Sequence, residues 1–202
     1  MVIVTAQKVK LREGGARMKP LLRLGIGVSC AVAVAGLPTP ARAWVAPTSR
    51  PPTVVVSQQD RTWMVDFARG NRFEIYSGGL AARKGVRPDT RAVGRRLVSD
   101  HTTALTALKQ VALQLRVSLP TTLSADQQRE LRKLGSLHGI AFDREFLTFE
   151  IADHRKVIGA TAQVTQTGTN PDVKALARRN LPALRTHLRL AQQALTELPP
   201  TH

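Results

Sequence analysis

Glu74, His101, His154 and His187 interrupt the apolar faces of four separate amphipathic stretches, and Glu150 stands four residues before His154 on the same face. Ionisable groups on a buried face need partners. Three imidazoles and one carboxylate, with Glu150 as a candidate fifth donor, make a ligand set for one divalent transition metal. Zinc, copper, iron, manganese and nickel all suit such donors, and without a thiolate the set does not choose among them. The same residues have a second reading, in which imidazole and carboxylate hydrogen-bond one another across the helices with Asn71 and Asn180, and no ion is needed. Asp143 shares the face of Glu150 and His154. Its position near the start of a helix suits a local cap or ion pair with Arg144.

Other chemistries lack their residues. A di-iron bundle takes Glu from two helices and Glu-x-x-His from each of the other two. The residues three before His101, His154 and His187 are Val98, Ile151 and Leu184, so those carboxylates are missing. No Gly-x-Ser-x-Gly, Gly-rich phosphate loop, His-Glu-x-x-His or dinucleotide fingerprint occurs. His138 and His202 fall at a break and at the terminus, and Trp63 with Phe67 reads as a core pair. No catalytic residue and no substrate follow from the sequence.

The elements that must position these side chains are helices. Ser57 with Asp60 resembles a capping box, and Trp63, Phe67, Gly70, Glu74, Ser77 and Ala81 recur at spacings of four and three to about Arg83. Gly78 and Gly79 weaken that helix unless a neighbour approaches closely there. Gly85 and Pro88 mark a turn, and Val93, Leu97, His101, Leu105, Leu108, Ala112 and Leu115 give a second helix to about Val117. Ser124 with Gln127 caps a short helix carrying Leu131 and Leu134, which Gly135 and Gly139 close. A third long helix spans roughly 141–165. Asn170-Pro171 opens a fourth, with Pro182 inside it, where a kink is expected and the Arg178 carbonyl loses its usual partner. Strand-like alternation and internal repeats are absent, which predicts an all-α fold, an antiparallel up-down four-helix bundle with a short extra helix between the second and third long helices.

The 202-residue chain carries 30 Lys and Arg against 14 Asp and Glu, a net charge of +16. Met18 to Arg23 reads as a basic n-region, Leu24 to Leu37 as an apolar h-region, and Ala41-Arg42-Ala43 as a cleavage pattern. Residues 1–43 are therefore expected to be a cleaved signal peptide, rather than an anchor, with an upstream extension that a translation start at Met18 would remove; an uncleaved, longer N-terminus is the competing reading. Residues 44–57 form a Pro-rich leader and 58–198 the bundle. Cleavage leaves 23 basic and 13 acidic groups, +10, and removes Cys30, the only cysteine. The expected location is periplasmic or extracellular, with no disulfide framework, no thiolate chemistry and no membrane span after cleavage.

Asp60 with Phe67, Glu74 and Gly79-Leu80-Ala81, then Asp100-His101, Leu119-Pro120, Gly139 with Phe142-Asp143-Arg144, His154, and Leu181-Pro182 with His187-Leu188 follow one another in an order that resembles the bacterial DUF4142 family over residues 58–195. The resemblance implies export and a ferritin-like bundle, and it implies no catalytic residues. In an up-down-up-down order, Arg83, Lys84, Arg87, Arg91, Arg95, Arg96, Lys174, Arg178 and Arg179 would gather at one basic pole. Such a pole suits anionic envelope polymers or lipid head groups. Nucleic acid is disfavoured by the scarcity of aromatics, the lack of a recognition motif and the export signal. Two function classes stand: an exported bundle with a metal in its Glu/His layer, and a structural or stress-related envelope protein acting through its basic surface.

Overall fold

A computed structural model describes residues 56–200. The expected signal peptide, the Met18 start and nearly all of the leader lie outside them. Regular structure among the described residues is entirely helical: α1 (Gln58–Lys84), α2 (Pro88–Gln114), α3 (Ala125–Ser136), α4 (Gly139–Thr167) and α5 (Pro171–Thr196). None of these helices is long and apolar enough to cross a membrane. The short α3 falls between the second and third long helices, as expected. It retains Gly135 inside it, whereas Gly139, at φ +62°, opens α4.

The helix starts follow their capping chemistry. Ser124 and Gln127 make the full reciprocal box, and Asn170 accepts from the amides of Asp172 and Val173 with Pro171 behind it. Ser57 accepts from the Asp60 amide, but Asp60 does not return the bond. Its carboxylate reaches 109 and 110 residues along the chain instead, accepting from the Thr169 amide and hydroxyl and from the Asn170 amide at 2.8–3.1 Å. Asp143 does the converse. It is fully buried, and its two oxygens accept the Val86 and Arg87 amides at 3.0 and 2.8 Å, so it belongs to the α1–α2 turn and not to the Glu/His layer.

Those two aspartates correct the expected chain order. The α1–α2 turn sits on the start of α4, and the α4–α5 turn sits on the start of α1, so the two turns lie at opposite ends. The four long helices run up, down, down, up. The segment after α2 climbs back along α1, where Arg72 holds the Pro120 carbonyl and Lys84 holds those of Leu134 and Gly135. The basic pole therefore does not form: Arg83 to Arg96 lie at one end, and Lys174, Arg178 and Arg179 at the other. Lys84 also lies over the Phe142 ring, and Arg91 ties the Gly85 and Val86 carbonyls, so two of those cations are structural.

The α1 and α2 backbones approach closely where Gly78 faces Gly94. A Cβ on Gly78 would stand 2.8 Å from the Gly94 carbonyl oxygen, and one on Gly94 2.6 Å from that of Gly78. Gly79 makes no such approach. α5 continues through Pro182. The apolar interior is divided in two. Trp63, Phe67, Leu105, Leu108, Val173 and Leu184 belong to one cluster, and Phe73, Leu97, Phe142, Phe146, Leu147 and Ala191 to the other. The polar layer lies between them.

Candidate metal centre

Glu74, His101, Glu150, His154 and His187 are each 5% exposed or less, and the helices bring them to one level. They form two overlapping triads. One ring nitrogen each of His101, His154 and His187 lies within 4.8 Å of the others, and so do ligand atoms of Glu74, Glu150 and His154. The five anticipated residues thus converge, with His154 common to both groups.

The outer hydrogen bonds decide which nitrogens face inward. His154 Nδ1 meets the Glu150 backbone carbonyl at 2.9 Å, and a carbonyl can only accept, so Nδ1 carries the proton. Asn71 donates through Nδ2 to the Phe67 carbonyl at 2.6 Å, which turns its oxygen toward His101 Nδ1 at 2.9 Å. His101 is therefore also a donor at Nδ1. His187 Nε2 meets Asp100 Oδ2 at 2.9 Å, an oxygen that also takes Arg96 Nε at 2.6 Å. Burial alone would raise the Asp100 pKa, but the bonds from Arg96 and His187 outweigh it and hold the carboxyl below its ordinary value. As a carboxylate it accepts, so His187 donates through Nε2.

Each neutral ring has then spent its one proton outward. His101 Nε2, His154 Nε2 and His187 Nδ1 are left with lone pairs inside the protein. His101 Nε2 has no hydrogen-bond partner, and His154 Nε2 faces His187 Nδ1 at 3.3 Å. Two lone pairs repel at that distance unless a positive charge lies between them. A proton is held weakly there: burial pushes all three imidazoles down, His154 to about 4, and only His187 is drawn partly back up, by the Asp100 carboxylate. A metal ion fits: nitrogens held at about 2.0–2.1 Å from a tetrahedral ion stand roughly 3.3–3.4 Å apart.

The carboxylates beside the rings meet few donors. Glu150 Oε1 accepts from Ser77 at 3.2 Å and its Oε2 stands 3.5 Å from His154 Nδ1, while the Glu74 carboxyl has only Glu150 to share its proton with. Burial pushes Glu74 well above the ordinary carboxyl range, with the Glu150 charge adding to it, and raises Glu150 to about 8. Carboxylate oxygens short of donors and inward lone pairs in one buried layer are what a cation would satisfy.

Asn71 plays the expected bridging part, but Asn180 does not, since its amide donates to the Leu176 carbonyl on its own helix. Asp100 and Ser77 were not assigned roles from the sequence. Ser77 follows Glu74 by three on the α1 face, a spacing that could have found it. Asp100 precedes His101 by one and so leaves its helix in a different direction, and its spacing of four from Arg96 reads as an ordinary surface pair. His138 is exposed and stands apart from the layer.

No curated protein matches this chain. The chain resembles the crystal structure of a DUF305 fragment from Deinococcus radiodurans with a TM-score of 0.63 at 14% identity, over 71% of this chain and 99% of that one, a likeness of fold. The model of the domain of unknown function DUF4142 matches residues 45–194, and the chain belongs to that family.

Proposed function

We propose that this protein is an exported, ferritin-like four-helix bundle that holds one divalent transition metal ion in its interior. His101, His154 and His187 supply three nitrogens, and Glu74 and Glu150 supply charge and further oxygen donors. The observation that carries the reading is the set of outer hydrogen bonds. The Glu150 carbonyl, Asn71 and Asp100 each take the proton of one ring and leave its other nitrogen bare and inward. Metal-ligating histidines are oriented in this way by partners at their second nitrogen. His154 has only one free nitrogen, so it can serve one ion and cannot bridge two, which favours a single centre over separate ions in the two triads.

The test uses the protein without a histidine tag, stripped of metal and titrated with Zn2+ and Co2+. The expected result is one ion per chain, a cobalt spectrum of low-symmetry nitrogen and oxygen ligation, and loss of binding in His154→Ala. A wild-type chain that takes up neither of these ions, nor copper, nickel, manganese or iron, would sink the reading and leave the layer as a hydrogen-bonded divider of the core. Mass determination of the mature N-terminus tests export: a start at Trp44 supports it, and a chain still beginning at Met1 or Met18 refutes it.

A further inference from the structure

α4 and α5 run antiparallel with their outer edges side by side. Lys174 holds the Gln166 carbonyl at 3.2 Å near one end of the pair, and Arg144 holds that of Pro199 at the other. Along α5 the exposed residues Arg178, Pro182, Arg185 and Arg189 recur at spacings of four, three and four, so they form one stripe. On α4, Thr148, Ala152, Arg155 and Gly159 recur at the same spacings and are likewise exposed. Lys174 precedes the first stripe by four residues and Arg144 precedes the second by four, so each stripe continues from a residue that reaches across to the other helix. The two stripes therefore share one outer face.

Acids are missing from this face. α5 has none between Asp172 and Glu197, which stand at its two ends. Those of α4 are engaged elsewhere: Asp143 on the α1–α2 turn, Glu145 on Lys133 of α3, Glu150 in the buried layer, and Asp153 in the groove between α1, α3 and α4. Among the described residues no carboxylate lies within 4.0 Å of the cationic nitrogens of Arg155, Arg178, Arg185 or Arg189, whereas Arg69, Arg96, Arg129 and Lys133 each have one. Arg189 bonds only the neutral Gln193 amide. Like charges left without counter-ions make a local positive potential that an anionic partner would neutralise.

The shape of the face selects that partner. Arg178 and Arg189 are about 16 Å apart along α5, and Arg155 stands on a helix whose axis is about 8–10 Å away, so the charge spreads in two dimensions. The exposed positions around Arg155 are small, Thr148, Ala152 and Gly159, which leaves the guanidinium groups standing clear of a level surface. A linear polyanion would follow one row, whereas a plane of phosphates meets both, and each guanidinium fork matches a phosphate through paired N–H donors. The large exposed apolar residues, Tyr76, Val86 and Leu113, belong to α1, the α1–α2 turn and α2. The α4–α5 face thus has nothing to insert into hydrocarbon and would rest at head-group level.

We propose that this face docks reversibly on a bilayer surface rich in anionic phospholipid, through Arg155, Arg178, Arg185 and Arg189. The inference is independent of the metal. The mature chain is sedimented with phosphatidylcholine vesicles prepared with and without phosphatidylglycerol. Binding should require the anionic lipid and weaken steeply with salt, because exposed charges are screened within about 8–10 Å at physiological ionic strength. A basic residue near such a surface is worth about fivefold in affinity, so the combined variant Arg155→Gln, Arg178→Gln, Arg185→Gln and Arg189→Gln should bind roughly two to three orders of magnitude more weakly. Its melting temperature and Zn2+ stoichiometry should match wild type. A second variant, Arg61→Gln, Arg83→Gln, Lys109→Gln and Arg132→Gln, has the same net charge but loses exposed cations of α1, α2 and α3, and it should keep most of the wild-type affinity. Equal losses in the two variants would show net charge alone at work and overturn the docking face. So would binding that ignores salt, a wild type that stays off the vesicles, or one that binds soluble polyphosphate and not the vesicles.

Discussion

Glu150→Gln should make the metal-free protein more stable, by an amount that grows with pH. The Glu150 carboxyl is fully buried, and burial raises its pKa from 4.5 to about 8. An unfolded chain releases that proton above about pH 4.5 whereas the folded chain keeps it up to about 8, so the folded state binds more protons in between. Stability then falls as pH rises, by about 1.4 kcal/mol per unit for this one group. The histidines act in the opposite sense: His154 is lowered from 6.5 to about 4, so its penalty applies below pH 6.5 and has largely gone above it. The window from pH 6.5 to 8 therefore isolates the carboxyls. Over it Glu150 costs the wild type about 2 kcal/mol that the neutral glutamine does not pay. Urea unfolding with chelator present, at pH 6.5, 7.2 and 8, measures the difference between the two proteins. A difference that stays constant with pH would show that Glu150 titrates normally and would refute the picture of a charge-starved layer. Saturating Zn2+ should erase the wild-type decline, since the ion replaces the proton.

Asp143→Ala should cost about 2–3 kcal/mol, because it removes the shared acceptor of two part-buried amides, measurable as a fall in the urea midpoint with little change in slope. Asp100→Ala should weaken Zn2+ binding about 10–100-fold in chelator competition while the fold, judged by circular dichroism, persists. Arg116→Gly should stabilise by about 1 kcal/mol, seen as a higher melting temperature, because Arg116 closes α2 in a left-handed conformation at φ 54° with the Val117 amide bonded back to the Ala112 carbonyl.

The helices were legible because spacing and caps agree. Ser124 with Gln127, Asn170 with Pro171, and the apolar recurrences through Leu97 to Leu115 each specify an element locally. The direction of α4 was not legible. It depends on whether the segment from 115 to 138 turns back or climbs the length of α1, and the bonds that settle this, from Arg72 to Pro120 and from Lys84 to Leu134, join residues about 50 apart. Even so, the convergence of the site survived the wrong order. Glu74, His101, His154 and His187 each lie within four residues of the middle of their helices, and reversing a helix about its middle barely moves a central residue. The basic pole failed for the complementary reason: its residues sit at helix ends, which a reversal carries to the far side.

Asp60 and Asp143 tie that topology to the site. His101 belongs to the α1–α2 pair, while His154 and His187 belong to α4–α5, so the triad depends on how far one pair slides along the other. Slippage by a single turn, about 5.4 Å, would exceed the 4.8 Å within which the three nitrogens lie. Each pair is clamped at its turn by an aspartate from the first two turns of the other, one clamp at each end of the molecule. Two clamps at opposite ends remove sliding and tilting together, which one clamp could not do. The buried aspartates are therefore part of what makes the histidine layer precise, although Asp143 stands eleven residues from His154 and shares no atom with it. Asp143→Ala should accordingly weaken Zn2+ affinity even in whatever fraction remains folded, and Asp143→Asn, which keeps one acceptor oxygen, should weaken it less.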